Sequence, residues 1–395
     1  MNLNNVAIIT PGVLPIPSTK GGAVENLIES YLQENEKMGT CQFHVYSIYE
    51  KEAKKKSTQY KYATFHFYHP NKLLTRIQSF FYRKIQRQYY YNPYMDFYGN
   101  WAIHQIKKIK TALIIIENRQ GFILNPSLKP NCPIVLHLHN DTLNTHADYA
   151  REILNRFDKI ITVSNYIKKQ VDSIANNDKT EVIYNGIDIE TFSSPELIYS
   201  RKDFKLDTND FVVLYTGRIS PIKGIRELLQ AFCLLKNYPT IKLLIVGSSN
   251  FGENTKDTFF NEMKELAQTA EKQIIFTGYI PYKNIPSILK LADIGIIPST
   301  CEDALTLSSL EGMAAGLPLI VTRSGGIPEA VSERCAIIVE KDEHLISSLA
   351  HSIKLLYNNK ALKDSMSKES VARSKLFSKK NYVHGMLTMI KSITK

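Results

Sequence analysis

Phe211-Val212-Val213-Leu214-Tyr215-Thr216-Gly217-Arg218-Ile219-Ser220-Pro221-Ile222-Lys223-Gly224 holds a short apolar run, a Gly/Pro turn with two cations, and the start of a helix-spaced segment reaching Lys236. An unbroken apolar strand followed at once by a helix is the repeating unit of a parallel sheet covered on both faces. Beyond it, strands are predicted at Ile241–Val246, Ile274–Thr277, Ile294–Ile297, Leu319–Thr322 and Ala336–Val339. Helices are predicted between them at about Thr258–Glu271, Tyr282–Lys290, Ser308–Ala315 and His344–Tyr357. Before it, Val6–Thr10, Leu113–Ile116, Ile134–Leu138, Ile160–Val163 and Glu181–Tyr184 read as strands. Gly22–Gln33 has helical spacing, and a second helix starts at Asn165 behind Ser164 as N-cap.

Two such cycles in 395 residues give the fold class: α/β, two doubly wound Rossmann-like domains facing a central cleft. The Pro/Ser stretch Asp188–Pro195 reads as the linker. The domains are expected at 1–190 and 191–378, with a last helix over 379–395 packing back on the first. No run of 18 apolar residues occurs, so no spanning helix is expected, and the start reads as a strand rather than a signal peptide. Cys41, Cys132, Cys233, Cys301 and Cys335 show no C-x-x-C spacing, which suits reduced thiols in the cytoplasm.

In doubly wound sheets, ligands bind at the carboxyl ends of strands, so the loops there carry the chemistry. Lys20-Gly21-Gly22-Ala23 puts two glycines at a helix N-terminus, where backbone N–H groups can approach a phosphate or simply make a tight turn. Arg218 and Lys223 combine a bidentate cation with a point charge, a pair suited to a diphosphate. Pro298–Pro318 brings carboxylates and then a helix start with free N–H groups at Thr306 and Leu307. Glu311 lies on an otherwise small and apolar helix, so a hydroxyl partner is expected. His137 and His139 end a strand on one face. No third ligand is fixed by spacing and no D-x-D triplet occurs, so no metal is expected. Neither G-x-G-x-x-G nor a P-loop is present.

These loops, in this order, resemble the family 4 retaining glycosyltransferases of the GT-B fold. The similarity runs through H-x-H-N-D, I-T-V-S-N-Y, V-I-Y-N-G-I-D, G-R-I-S-P-I-K-G, E-D-A-L-T-L-S-S-L-E-G-M-A-A-G-L-P and T-R-S-G-G-I-P-E. The resemblance implies a UDP-linked sugar donor bound mainly by the second domain. Arg218 and Lys223 match the pair that neutralises the donor diphosphate, and Thr306 and Leu307 the backbone donors near the distal phosphate. Glu311 matches the acid on the ribose hydroxyls, and Ile280 the position whose backbone meets the base. Gly21 and Gly22 match the first-domain loop that closes on the diphosphate, and His139 the histidine near the reacting sugar carbon. The family spaces two glutamates eight positions apart. Here that position is Asp303, with Glu302 one step further; Asp303 is favoured to meet the sugar because it keeps the register. The implied reaction is metal-independent and same-face, without any cofactor. Preorganised cations and amides would stabilise the departing diphosphate.

Charge adds a further expectation. Lys51–Lys110 contains 13 Lys/Arg against 2 Asp/Glu and so accounts for the whole net charge of +11; residues 62–101 hold 14 aromatics. Within it, Arg76, Phe80, Phe81, Arg83, Lys84 and Arg87 read as an interfacial amphipathic helix that meets an anionic membrane surface or the acceptor. The expected partners are a nucleotide-sugar donor and a glycan or lipid-linked acceptor, with the protein cytoplasmic and peripheral on the inner membrane face. Nucleic acid is not expected. Two rival readings are a nucleotide-sugar epimerase of the same architecture and a nucleic-acid-binding module using the basic aromatic stretch.

Overall fold

The computed structural model describes residues 3–71, 96–128, 131–249 and 257–394. They form two compact units, one of Met1–Tyr184 with Tyr382–Lys395 and one of Asn185–Asn381. The division falls after Tyr184, ahead of the expected 190, because 185–190 lead into the second unit.

The first unit has strands β1 (Asn4–Ile9), β2 (Cys41–Ile48), β3 (Ala63–Tyr68), β4 (Leu113–Glu117), β5 (Ile134–Leu138), β6 (Lys159–Thr162) and β7 (Thr180–Val182). Its helices are α1 (Ala23–Met38), α2 (Lys51–Ser57), α3 (Phe97–Ile106), α4 (Ala150–Arg156) and α5 (Asn165–Asp172). The sheet order is β3-β2-β1-β4-β5-β6-β7, with every pairing parallel. In α1, Leu27, Ile28, Tyr31 and Leu32 fall on one buried stripe, and Gly39 in the left-handed region ends the helix with its N–H on Asn35 O at 2.7 Å. Ser164 caps α5 by accepting from Ile167 N–H at 3.3 Å, as its sequence suggests. The core joins Val6, Ile8, Phe43, Ile115, Val135 and Ile161 to Tyr382, Met386 and Ile390 from the chain's last helix.

The second unit has β8 (Phe211–Thr216), β9 (Ile241–Val246), β10 (Ile274–Gly278), β11 (Ile294–Ile297), β12 (Leu319–Thr322) and β13 (Ala336–Val339), in the order β10-β9-β8-β11-β12-β13, all parallel. Its helices are α6 (Ile189–Ser193), α7 (Ile225–Leu234), α8 (Thr258–Ala267), α9 (Ile285–Leu289), α10 (Leu307–Ala314), α11 (Ile327–Ala330), α12 (Leu345–Asn358) and α13 (Lys360–Ser374); α14 (Lys379–Ile393) then closes the chain. Val213, Leu243, Ile294 and Ile296 from the sheet pack with Leu228, Phe232, Leu349 and Ile353 from α7 and α12. Each such side chain contributes about 1.5–3 kcal/mol by leaving water. In both sheets the strand order reverses direction beside the first strand, between β1 and β4 and between β8 and β11. That places a crevice at the carboxyl ends there.

The sequence-predicted strands appear, but β2, β3, α2, α3, α4, α6, α11 and α13 are additions to that reading, and α6 lies within the expected linker Asp188–Pro195. These additions also revise the basic aromatic stretch. Tyr98 is buried, with its hydroxyl donating to Tyr46 O at 2.6 Å. The Trp101 ring lies 5.5 Å from Tyr68, 6.0 Å from Tyr46 and 6.1 Å from Tyr98. Tyr46 and Tyr98 are buried, and the half-buried Tyr68 and Trp101 pack beside them. Arg76, Phe80, Phe81, Arg83, Lys84 and Arg87 lie outside the described residues.

Candidate active site

In the second unit, three loops at the carboxyl edge of the sheet are joined backbone to backbone. Thr300 N–H and Cys301 N–H both donate to Ile222 O, at 3.1 and 3.3 Å, tying the loop after β11 to the loop after β8. Gly224, at φ +69°, starts α7 so close to that loop that a Cβ would sit 1.7 Å from Pro298 O. Gly325, at φ +47° after β12, would bring a Cβ within 2.1 Å of Asp303 O. At both positions the conformation and the clearance demand glycine.

The polar side chains sit on this frame. Lys223 Nζ pairs with Asp303 Oδ1 at 2.5 Å, and Ser299 Oγ donates to Asp303 Oδ2 at 2.5 Å. The Asp303 backbone is held as well: its N–H donates to Ser324 Oγ at 3.0 Å, and its carbonyl accepts from Gly326 N–H at 2.7 Å. Glu302 points elsewhere, pairing with Lys341 and accepting from Gly325 N–H. Arg218 is half-buried, and its carbonyl accepts from the Tyr215 hydroxyl at 2.6 Å. Thr306 is the N-cap of α10 and makes no side-chain cap bond. Its hydroxyl goes to Ser309 Oγ at 3.0 Å instead. The first-turn N–H groups of α10, Leu307 included, therefore lack a side-chain cap from Thr306. Ile280 is buried in the loop after β10. Glu311 is buried on α10, and its Oε1 accepts from the Tyr282 hydroxyl at 2.9 Å. Burial pushes the Glu311 carboxyl up to about 7 against the pull of that single bond. The expected hydroxyl partner is thus present within the chain.

The first unit has its own cluster. Gly21 and Gly22 take positive φ before α1. The buried Glu25 carboxylate folds back on them: a Cβ at Gly22 would lie 2.2 Å from Glu25 Oε2. Burial raises Glu25 to about 7, with repulsion from Glu117 adding to it and a backbone hydrogen bond opposing it. His137 and His139 lie with ring centroids 4.1 Å apart. The group that sequence reasoning missed is Glu117, at the end of β4. Parallel pairing sets it against His137. Glu117 Oε2 is 3.0 Å from His137 Nδ1 and 3.0 Å from His139 Nε2, and Oε1 accepts from the Tyr31 hydroxyl at 3.1 Å. The His137 approach is off the line of a hydrogen bond. Burial alone would raise Glu117, but attraction to His137 and the bond from His139 outweigh it and hold the carboxyl at about 2. Burial, helped by repulsion from His137, lowers His139 to about 4 despite Glu117. The three ligand-type atoms lie within 4.8 Å of one another. The signal was available: a carboxylate ending the otherwise apolar run Leu113-Ile114-Ile115-Ile116.

Comparison with known proteins bears on both units. Residues 199–373 match the family model described as Glycosyl transferases group 1, and residues 64–191 match Glycosyltransferase Family 4. The chain is 27% identical over 387 residues to YtcC of Bacillus subtilis, which carries a glycosyltransferase name; the match covers 92% of this chain and 86% of YtcC. It is 31% identical over 206 residues to the lipopolysaccharide 1,2-N-acetylglucosaminetransferase of Salmonella typhimurium, covering 51% of this chain and 52% of that one. Among solved structures, Anabaena HepE in complex with UDP is similar at a TM-score of 0.75 and 20% identity, over 99% of this chain and 100% of HepE. With two family models in register along two parallel-sheet units, the chain belongs to glycosyltransferase family 4 and has the GT-B fold.

Proposed function

We propose that this glycosyltransferase is a retaining, metal-independent enzyme without a cofactor. It moves a hexose or N-acetylhexosamine from a UDP-sugar to a lipid-linked glycan acceptor in the assembly of cell-surface polysaccharide or glycoconjugate. The carrying observation is the loop cluster of the second unit, where Lys223 is fixed beside Asp303 on a rigid frame that also bears Arg218 and the uncapped start of α10. When the glycosidic bond breaks, negative charge grows on the departing diphosphate. Cations and amides already in place stabilise it without reorganising. Asp303 accepts from Lys223 and Ser299, and a carboxylate has about four lone-pair sites. Sites therefore remain for sugar hydroxyls; Asp303 stands beside Lys223 whereas Glu302 is drawn to Lys341, which supports Asp303 over Glu302 in that role. Glu311 would exchange or share Tyr282 for the ribose, and the Ile280 backbone would meet the base. Gly21 and Gly22 would supply amides, and His139 would orient the sugar as a neutral ring. The HepE complex with UDP supports the choice of nucleotide, and the Salmonella relative a glycan acceptor.

The membrane part of the reading rests on composition: the basic aromatic stretch would bring the enzyme to an anionic inner leaflet. Among the described residues, no helix is long and apolar enough to cross a membrane. Sedimentation with anionic and neutral liposomes tests this, and indifference to lipid charge removes it. Calorimetric titration with UDP-, GDP- and ADP-sugars tests the donor. We expect heat of binding with a UDP-sugar, and silence with all three would overturn the reading. Clean epimerisation of the donor without acceptor would favour the epimerase rival, which the matched relatives do not support.

A further inference from the structure

We propose that Glu117 is the positioning residue of His139: it accepts the Nε2–H of a neutral imidazole and so leaves Nδ1 as a hydrogen-bond acceptor toward the donor sugar. The argument starts from cost. The Glu117 side chain is wholly inaccessible, at the end of a strand whose other residues are apolar. Burying a carboxylate there costs several kcal/mol before its partners are counted. A leucine would fill the same strand end more cheaply. The chain instead surrounds the carboxylate with three polar groups: Tyr31 from α1, His137 from β5, and His139 just beyond β5. Tyr382 from α14 closes the arrangement, its ring stacked at 6.4 Å on His137.

The chemistry then fixes the proton. An ionised carboxylate can only accept, so at 3.0 Å the Nε2 of His139 must be the donor. Burial and the neighbouring His137 keep the ring from taking a second proton near neutral pH. A neutral imidazole with its proton on Nε2 has a lone pair on Nδ1. His139 retains 7% of its side-chain accessibility, whereas Nε2 is turned to the inaccessible Glu117. Nδ1 makes no bond among the described residues and is not among the buried polar atoms lacking a partner. It is therefore the ring atom left for a ligand. The consequence, which rests on the proposed donor role, is specificity. The sugar must turn a free hydroxyl toward Nδ1, because an ether oxygen or a deoxy carbon has no proton to give.

The test uses the full chain. Proton and nitrogen NMR of the ligand-free protein, with labelled histidine, should show His139 neutral with a downfield, slowly exchanging Nε2–H. Glu117→Gln, a weaker acceptor, should move that resonance upfield. With a UDP-sugar, the same variant should lose between about tenfold and 100-fold in kcat with little change in donor KM. Glu117→Asp, one methylene short, should not restore kcat. A proton on Nδ1 in the native protein would overturn the proposal. So would an equivalent of divalent metal that copurifies with the native chain and is lost in Glu117→Gln, or a folded variant with unchanged kcat. If Glu117→Gln does not fold, the spectrum of the native protein decides by itself. That spectrum needs no donor. A failed donor screen therefore leaves it intact, whereas a wrong tautomer with UDP-sugar binding preserved sinks only this inference.

Discussion

Glu117 and Glu311 are both buried acids near the carboxyl end of a parallel sheet, one in each unit, and their protons behave in opposite ways. Desolvation pushes both upward. At Glu117 electrostatic attraction to His137 and the bond from His139 prevail and hold it at about 2, whereas at Glu311 the Tyr282 hydroxyl alone leaves it at about 7. Burial sets the cost of a charge, and the partners decide whether the charge survives. An acid with its acceptor sites occupied is part of the built structure. An acid with one hydroxyl and a raised affinity for a proton still has bonding capacity to fill, which is what a ribose would supply.

This contrast can be broken by stability measurements. Glu117→Ala leaves the Tyr31 hydroxyl and the His139 Nε2–H without their buried acceptor and should destabilise the chain by about 1–3 kcal/mol for each orphaned donor at pH 7 in urea titration. A total loss below about 1 kcal/mol would mean that neither bond is made. Lys223→Ala and Arg218→Ala test the proposed donor side, and each should lower kcat by about 10²–10³-fold, the scale for losing one preorganised donor. Unchanged turnover in both would remove them from the reaction. Gly224→Ala and Gly325→Ala should each cost on the order of 1–3 kcal/mol in stability, because a Cβ would press on Pro298 O or Asp303 O. Full stability in either would show that the loops can part.

The smallest expected effect sharpens the contrast most. The folded Glu311 carboxyl binds its proton more tightly than the unfolded one. Its contribution is therefore full below about pH 4.5 and fades as pH rises through about 7. Glu311→Gln should flatten that fade and stabilise the ligand-free protein at pH 8 by on the order of 1–3 kcal/mol, read from thermal melts at pH 5 and 8. Donor affinity should fall in the same variant. His139 works the other way: its ring is held neutral in the fold, so stability is lost as pH falls from about 6.5 toward 4.

Much of the fold was legible because doubly buried strands are written as apolar runs such as Ile241–Val246 and Ile294–Ile297, and these two are each followed by a helix. The strand β3 was not, because Ala63-Thr64-Phe65-His66-Phe67-Tyr68 alternates at the edge of its sheet inside a basic stretch. Composition there suggested a surface, while Tyr98 is buried and Trp101 packs half-buried beside it. The loop motifs pointed to Lys223 and Asp303, since each follows a strand within about seven residues, and Glu311 stood out as an acid on an otherwise small and apolar helix. Glu117 escaped because its partners are 20 and 22 residues away, and only the parallel register of β4 and β5 brings them together. The Lys223–Asp303 pair escaped for the same reason, as 80 residues separate its members.

The central claim is that side chains and amides of the second unit take the donor diphosphate without a divalent ion. A crystal structure of the full chain with a UDP-sugar, grown in chelator, tests it most directly. The account predicts the diphosphate within hydrogen-bond distance of Lys223, Arg218 and the first amides of α10, with a ribose hydroxyl on Glu311. A diphosphate bound away from Lys223 and Arg218, or bound only when a divalent ion is supplied, would contradict it.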